Sequence, residues 1–183
     1  EDEIVRQMVR NDGGAGDLQI SYPKKLGIWN TLLESDAEAT WIFRAWEGQE
    51  AQQHGVDLNY FALGDYEIPY GYSPVLITRR DSLEEKTEAL RAFLAATEKG
   101  FRLAMSEPEK AAEVLRPELS ERDRTRIDIV QSQRFINPFY LRNATWGRMN
   151  RQVWANFLTW LHQHKLIRAV PDPDALFTNA LLD

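Results

Sequence analysis

Ile4, Val5, Met8 and Val9 recur at helical spacing before the turn-forming run NDGG, so residues 2–11 are predicted to form a helix. Gly13 or Gly14 would end it by taking a left-handed conformation. DLQIS (17–21), bounded by Gly16 and Pro23, reads as a strand. LGIWNTLLES then sets Leu26, Trp29, Leu32 and Leu33 on one helical stripe. EATWIFR (38–44), rich in β-branched and aromatic residues, reads as a buried strand, WEGQEAQQHG as a short helix ending at Gly55, and VDLNYFAL (56–63) as an alternating strand. Strands alternating with helices at this spacing predict a largely parallel sheet covered by helices.

The loop GDYEIPYGY leads to one more apolar strand, SPVLITRR (73–80), with Pro74 near its start, where a missing ladder donor does least harm. Beyond it the pattern turns helical. Ser82 with Glu85, and Ser106 with Glu109 behind Pro108, have the spacing of capping boxes. Ser120 and Asp123 open a third helix by the same logic, and Asn150 caps a fourth, RQVWANFLTWLHQHKLI. There Val153, Trp154, Phe157, Leu158, Leu161 and the stem of Lys165 form the apolar face, with Trp160 at its border. Asp172 and Pro173 offer a last cap. The change of character near residue 73 divides the chain into an α/β part, 1–72, and a part of one crossing strand and successive helices, 73–183.

Composition narrows the chemistry. The 183 residues are 43% hydrophobic, enough for one substantial domain or two small lobes. No run reaches the ~18 apolar residues of a membrane-spanning helix, and the first residues lack the basic start and apolar stretch of a signal peptide. A formal charge of −6 disfavours nucleic acid as a partner. With no cysteine, thiolate metal sites and cysteine nucleophiles are excluded. His54 precedes Gly55 at a helix end and reads as a cap, whereas His162 and His164 are two apart and cannot chelate one metal as an i, i+4 pair can. GxSxG and P-loop patterns are absent, so neither a metal, a cofactor nor a covalent mechanism is expected.

Two stretches hold the candidate chemistry. Trp46 and Glu47 follow a predicted strand and open a helix, where open α/β sheets leave a ligand crevice; equally, Glu47 could complement its own helix dipole while Trp46 packs inward. GDYEIPYGYSP places Tyr66, Tyr70 and Tyr72 in eleven residues of connection. Tyrosine joins a flat apolar face to an orienting hydroxyl, so the loop is either a binding surface or a packed connection between lobes. Trp41 belongs with them if the rings wall a pocket.

LLESDAEATWIFRAWEGQEAQQHGVDLNYFAL, then YEIPYGYSPVLITRRD, EKGFRLAMSEPEKAAEVL and the closing WGRMNRQVWANFLTWLHQHKLI…FTNALL resemble the NMT1/THI5-like family of substrate-binding proteins, in its thiamine pyrimidine precursor branch. The resemblance implies a periplasmic-binding-protein-like (type II) α/β lobe with a largely parallel sheet, followed by a helical C-terminal half. Members are longer, so this chain would be the C-terminal part, with 1–72 as the second lobe and 73–183 contributing to the first. It also implies an interlobe cleft holding a small heterocycle, commonly a formylated aminopyrimidine, for delivery to an ABC transporter permease outside the cytoplasm. Trp41, Trp46, Tyr66, Tyr70 and Tyr72 would supply ring contacts and Glu47 would accept from an exocyclic amine. No cofactor follows from this reading, and a chain lacking its N-terminal lobe is expected to pair as a homodimer. The alternatives are a pyrimidine synthase like the fungal enzymes of the family, which carry a cysteine-rich motif missing here, and a regulatory or interaction domain that kept the fold.

Overall fold

The computed structural model describes residues 2–22, 29–34, 37–141 and 145–182. Nine α-helices occur among them: α1 (Asp2–Asn11), α2 (Thr31–Glu34), α3 (Glu47–Gln53), α4 (Arg80–Glu85), α5 (Thr87–Ser106), α6 (Pro108–Leu115), α7 (Glu121–Arg126), α8 (Ile129–Ile136) and α9 (Arg151–Gln163). Short 3₁₀ turns cover Leu63–Tyr66, Arg116–Glu118, Asn137–Phe139 and Pro173–Ala175.

The expected parallel sheet is absent. Among the described residues there is no β-strand, only an isolated bridge position at Thr145, so the expected α/β, periplasmic-binding-protein-like lobe is corrected to a helical architecture. The segments 17–21, 38–44, 56–63 and 73–80 are predominantly irregular. A strand exists only when a neighbour takes up its N–H and C=O groups, and alternating apolar side chains register a preference for a covered pleat without supplying that neighbour. The side chains agree: Phe43 is 64% exposed, Phe61 62% and Ile77 89%. Leu26 and Pro23, which figured in the expected second helix and first strand, lie outside the described residues.

Helix ends follow local chemistry closely. Gly13 sits at φ 93°, and Gly14 N donates to Val9 O at 2.8 Å while Gly13 N donates to Arg10 O at 3.0 Å, closing α1 in the left-handed manner. α3 ends the same way at Gly55, φ 70°, with Val56 N donating to Ala51 O at 3.0 Å. Ser120 Oγ accepts from Asp123 N at 3.1 Å, Asn150 Oδ1 from Gln152 N at 2.7 Å, and Asp172 Oδ1 from Asp174 N at 3.1 Å, as their positions predict. Two expected caps differ. Ser82 lies inside α4, and Ser106 Oγ donates back to Arg102 O at 3.0 Å instead of receiving from the next helix. α9 also stops short of Ile167, because Lys165 takes φ 59° and Leu166 N turns back to Leu161 O at 2.8 Å.

The chain forms two compact units. The first, residues 1–21, 60–94 and 147–183, is built on Ile4, Ile68 and Trp160, with Met8, Leu63, Tyr66, Phe157 and Leu161 packed against them. The second, residues 22–59 and 95–146, centres on Ala112, Ile127 and Ile129, with Trp46, Leu119 and Val130 around them.

In the first unit Glu3 Oε1 accepts from Arg10 at 2.6 Å and lies 3.5 Å from His164 Nδ1. The hydrogen bond from Arg10 holds the Glu3 carboxyl below the usual carboxylate range. Because its folded pKa is depressed, its contribution to stability is present above the unfolded carboxyl pKa and lost as pH falls through the folded one. Urea unfolding at stepped pH should show wild type above Glu3→Gln by less than about 1 kcal/mol near pH 6, converging at the acid end. A constant gap across that range would show that the charge is not the source.

Candidate functional site

The loop that carries the tyrosines is tied to helices of its own unit. Asn11 Nδ2 donates to Tyr66 O at 2.6 Å, fixing the end of the Leu63–Tyr66 turn against α1. Tyr66 itself joins the Ile4, Ile68 and Trp160 core, its ring 6.1 Å from Phe61. The chain then crosses α9. A Cβ on Gly71 would sit 3.7 Å from the Phe157 ring, so the backbone between the next two tyrosines lies directly on that side chain. Tyr70 meets Phe157 edge-on at 5.3 Å and keeps 41% of its surface exposed. Tyr72 lies 5.9 Å from Trp154, and its hydroxyl accepts from Asn150 N at 2.8 Å, just where α9 is capped.

Trp154 and Phe157 therefore stand beside the expected tyrosines, although the sequence pattern placed them in an apolar helix face. Their i, i+3 spacing on α9 put them on one stripe, and that pattern looks the same whether the stripe faces core or a ligand surface. Phe177 stacks on Trp154 at 6.3 Å with an interplanar angle of 11°. The segment holding Phe177 is fastened on both sides. Arg151 pairs with Asp174 at 3.0 Å and Asp172 at 3.5 Å; the Asp174 hydrogen bond above all raises its guanidinium pKa. Asn179 clasps the Met149 backbone, accepting from Met149 N at 3.0 Å and donating to Met149 O at 2.9 Å. Within this group the indole Nε1 of Trp154 is buried without a hydrogen-bond partner among the described residues.

Trp41, Trp46 and Glu47 lie in the other unit. Trp46 is half-buried against Ala112, Ile127 and Ile129, while Trp41 remains 38% exposed. Glu47 opens α3, and its Oε2 accepts from Phe43 N at 2.9 Å, so the carboxylate organises the turn before its own helix. Neighbouring side chains pin the stretch in place: the Arg44 guanidinium lies 5.2 Å over the Phe135 ring, and Ser132 Oγ donates to Ala45 O. Glu50, which sequence reasoning passed over, is 5% exposed and faces Arg126 Nε at 2.8 Å.

Thus the structure brings Tyr70 and Tyr72 onto one aromatic face with Trp154 and Phe157, and keeps Trp46 beside Glu47 in the second unit. Two shallow depressions, one lined by Arg79, Arg80, Asp81 and Glu84 and one by Gln49, Gln52, Gln53, Asp128 and Gln131, include none of the six expected residues. No helix among the described residues is long and apolar enough to cross a membrane.

Helical units presenting aromatic side chains beside a few polar anchors define a chain built around ring contacts, with no cluster of three or more metal-ligating side chains among the described residues. The family described as NMT1/THI5 like matches residues 1–111, and the chain belongs to it. A formylaminopyrimidine-binding protein of Halalkalibacterium halodurans is 28% identical over 123 residues, which cover 62% of this chain and 35% of that protein. The match thus spans about a third of the relative's length, and the relative is named for binding rather than for a reaction.

Proposed function

We propose that the chain takes part in binding a small planar heterocycle of the formylated aminopyrimidine class, in a protein that hands it to an ABC transporter permease outside the cytoplasm. The observation that carries this reading is the similarity to a formylaminopyrimidine-binding protein, beside the family match. The side chains suit such a ligand: a flat heterocycle wants ring faces for its apolar surfaces and a few polar groups for its edges. Of the six expected residues, Trp41 and Tyr70 retain the most exposed ring surface. Trp46 and Tyr66 are packed against their respective cores, and Tyr72 spends its hydroxyl on the start of α9. Glu47 uses Oε2 on Phe43 N, leaving Oε1 as the acceptor for an exocyclic amine.

Calorimetric titration of the chain with a formylated aminopyrimidine should give saturable binding, and Glu47→Gln should weaken it roughly tenfold, the share of a hydrogen bond to a charged group. No saturable heat up to millimolar ligand would overturn the reading. Wild-type affinity in Glu47→Gln would remove that residue from the site. Delivery is tested separately, by ligand-dependent uptake into vesicles holding the candidate permease.

A further inference from the structure

We propose that the indole Nε1–H of Trp154 is a ligand-recognising donor that pairs with an acceptor atom on the edge of a bound heterocycle, an inference that rests on the pyrimidine-binding reading above. The N–H is buried and has no hydrogen-bond partner among the described residues. Native proteins rarely leave such a donor orphaned, and an acceptor on a bound ligand would satisfy it. Trp154 is bordered by the Tyr72 ring at 5.9 Å and the Phe177 ring at 6.3 Å, and the Tyr72 hydroxyl is engaged with Asn150 N. Ring side chains beside one unpaired donor suit a planar ring carrying a nitrogen or carbonyl acceptor at its rim.

Phe177 is held at its two flanks, by Arg151 on Asp174 and by Asn179 on Met149, while its own side chain makes a ring contact with Trp154.

The decisive experiment replaces Trp154 by 3-benzothienylalanine, which keeps the bicyclic shape and puts sulfur where the N–H was. Two quantities are read: the melting midpoint without ligand, and the Kd for the formylated aminopyrimidine. In the free protein the replacement removes an orphaned donor, so the midpoint should hold or rise; with ligand, Kd should increase about tenfold, or ~1.4 kcal/mol. An unchanged Kd would overturn the proposal. So would a lower ligand-free midpoint, which would mean that the N–H is already satisfied inside the protein. If wild type itself binds no pyrimidine, the functional reading fails with it; if wild type binds and the variant binds equally well, only the role of Trp154 fails.

Discussion

Trp160→Ala is expected to lower unfolding stability by about 3–5 kcal/mol, the usual cost of removing a buried tryptophan ring. Trp160 is 8% exposed and belongs to the cluster that joins α1 through Ile4 to the loop through Ile68. Its ring also lies 4.3 Å from His164 and 6.3 Å from Phe157. Truncation opens a void beneath three elements at once, and none of them can collapse into it without pulling its neighbours. Domains of this size hold only ~5–15 kcal/mol in reserve, so the variant should melt roughly 10 °C lower. Trp160→Phe, which refills most of the space, should recover over half of the loss. Phe139→Ala, at a ring 69% exposed, should stay within ~0.5 kcal/mol of wild type. Urea unfolding followed by far-ultraviolet dichroism measures all three, and a Trp160→Ala cost below ~1 kcal/mol would show that the first unit does not depend on this core.

What the sequence makes legible here is local. Gly13, Gly55, Ser120, Asn150 and Asp172 act at helix ends as their types predict, because capping depends on φ and on one side-chain oxygen within four residues. Lys165 ends α9 in the same left-handed conformation with no such signal, since a lysine there is tolerated rather than favoured. The strands failed for the opposite reason. EATWIFR and SPVLITRR have the composition of strands, but pairing is a relation between distant segments, and among the described residues no partner strand receives them. The candidate site divides likewise. Tyr70 and Tyr72 stand out as aromatic residues in a loop, whereas Trp154 and Phe157 hide in an ordinary helical stripe and become noticeable only when the loop crosses them.

Arg126→Ala is expected to cost about 3 kcal/mol, at the lower end for breaking a buried ion pair. The Glu50 carboxylate on α3 is the sealed member of the pair, 6% exposed in its side chain, while Arg126 at the end of α7 is 38% exposed. The two are 2.8 Å apart, yet among the described residues Glu50 Oε1 has no aligned hydrogen bond, so charge attraction carries the contact. Removing the arginine strands an anion where water cannot reach it. Removing the carboxylate leaves a cation that can turn toward solvent, so Glu50→Gln should cost only ~1 kcal/mol. The double variant should be more stable than Arg126→Ala alone, a sign that simple loss of packing cannot produce. The same pair anchors α3, whose first residue is Glu47, beside the core that holds Trp46. Under the proposed function, Arg126→Ala should therefore weaken pyrimidine binding in step with stability, and the double variant should regain part of both. Equal stability of the two single variants would remove the asymmetry on which the prediction stands, and would place Glu50 in contact with water.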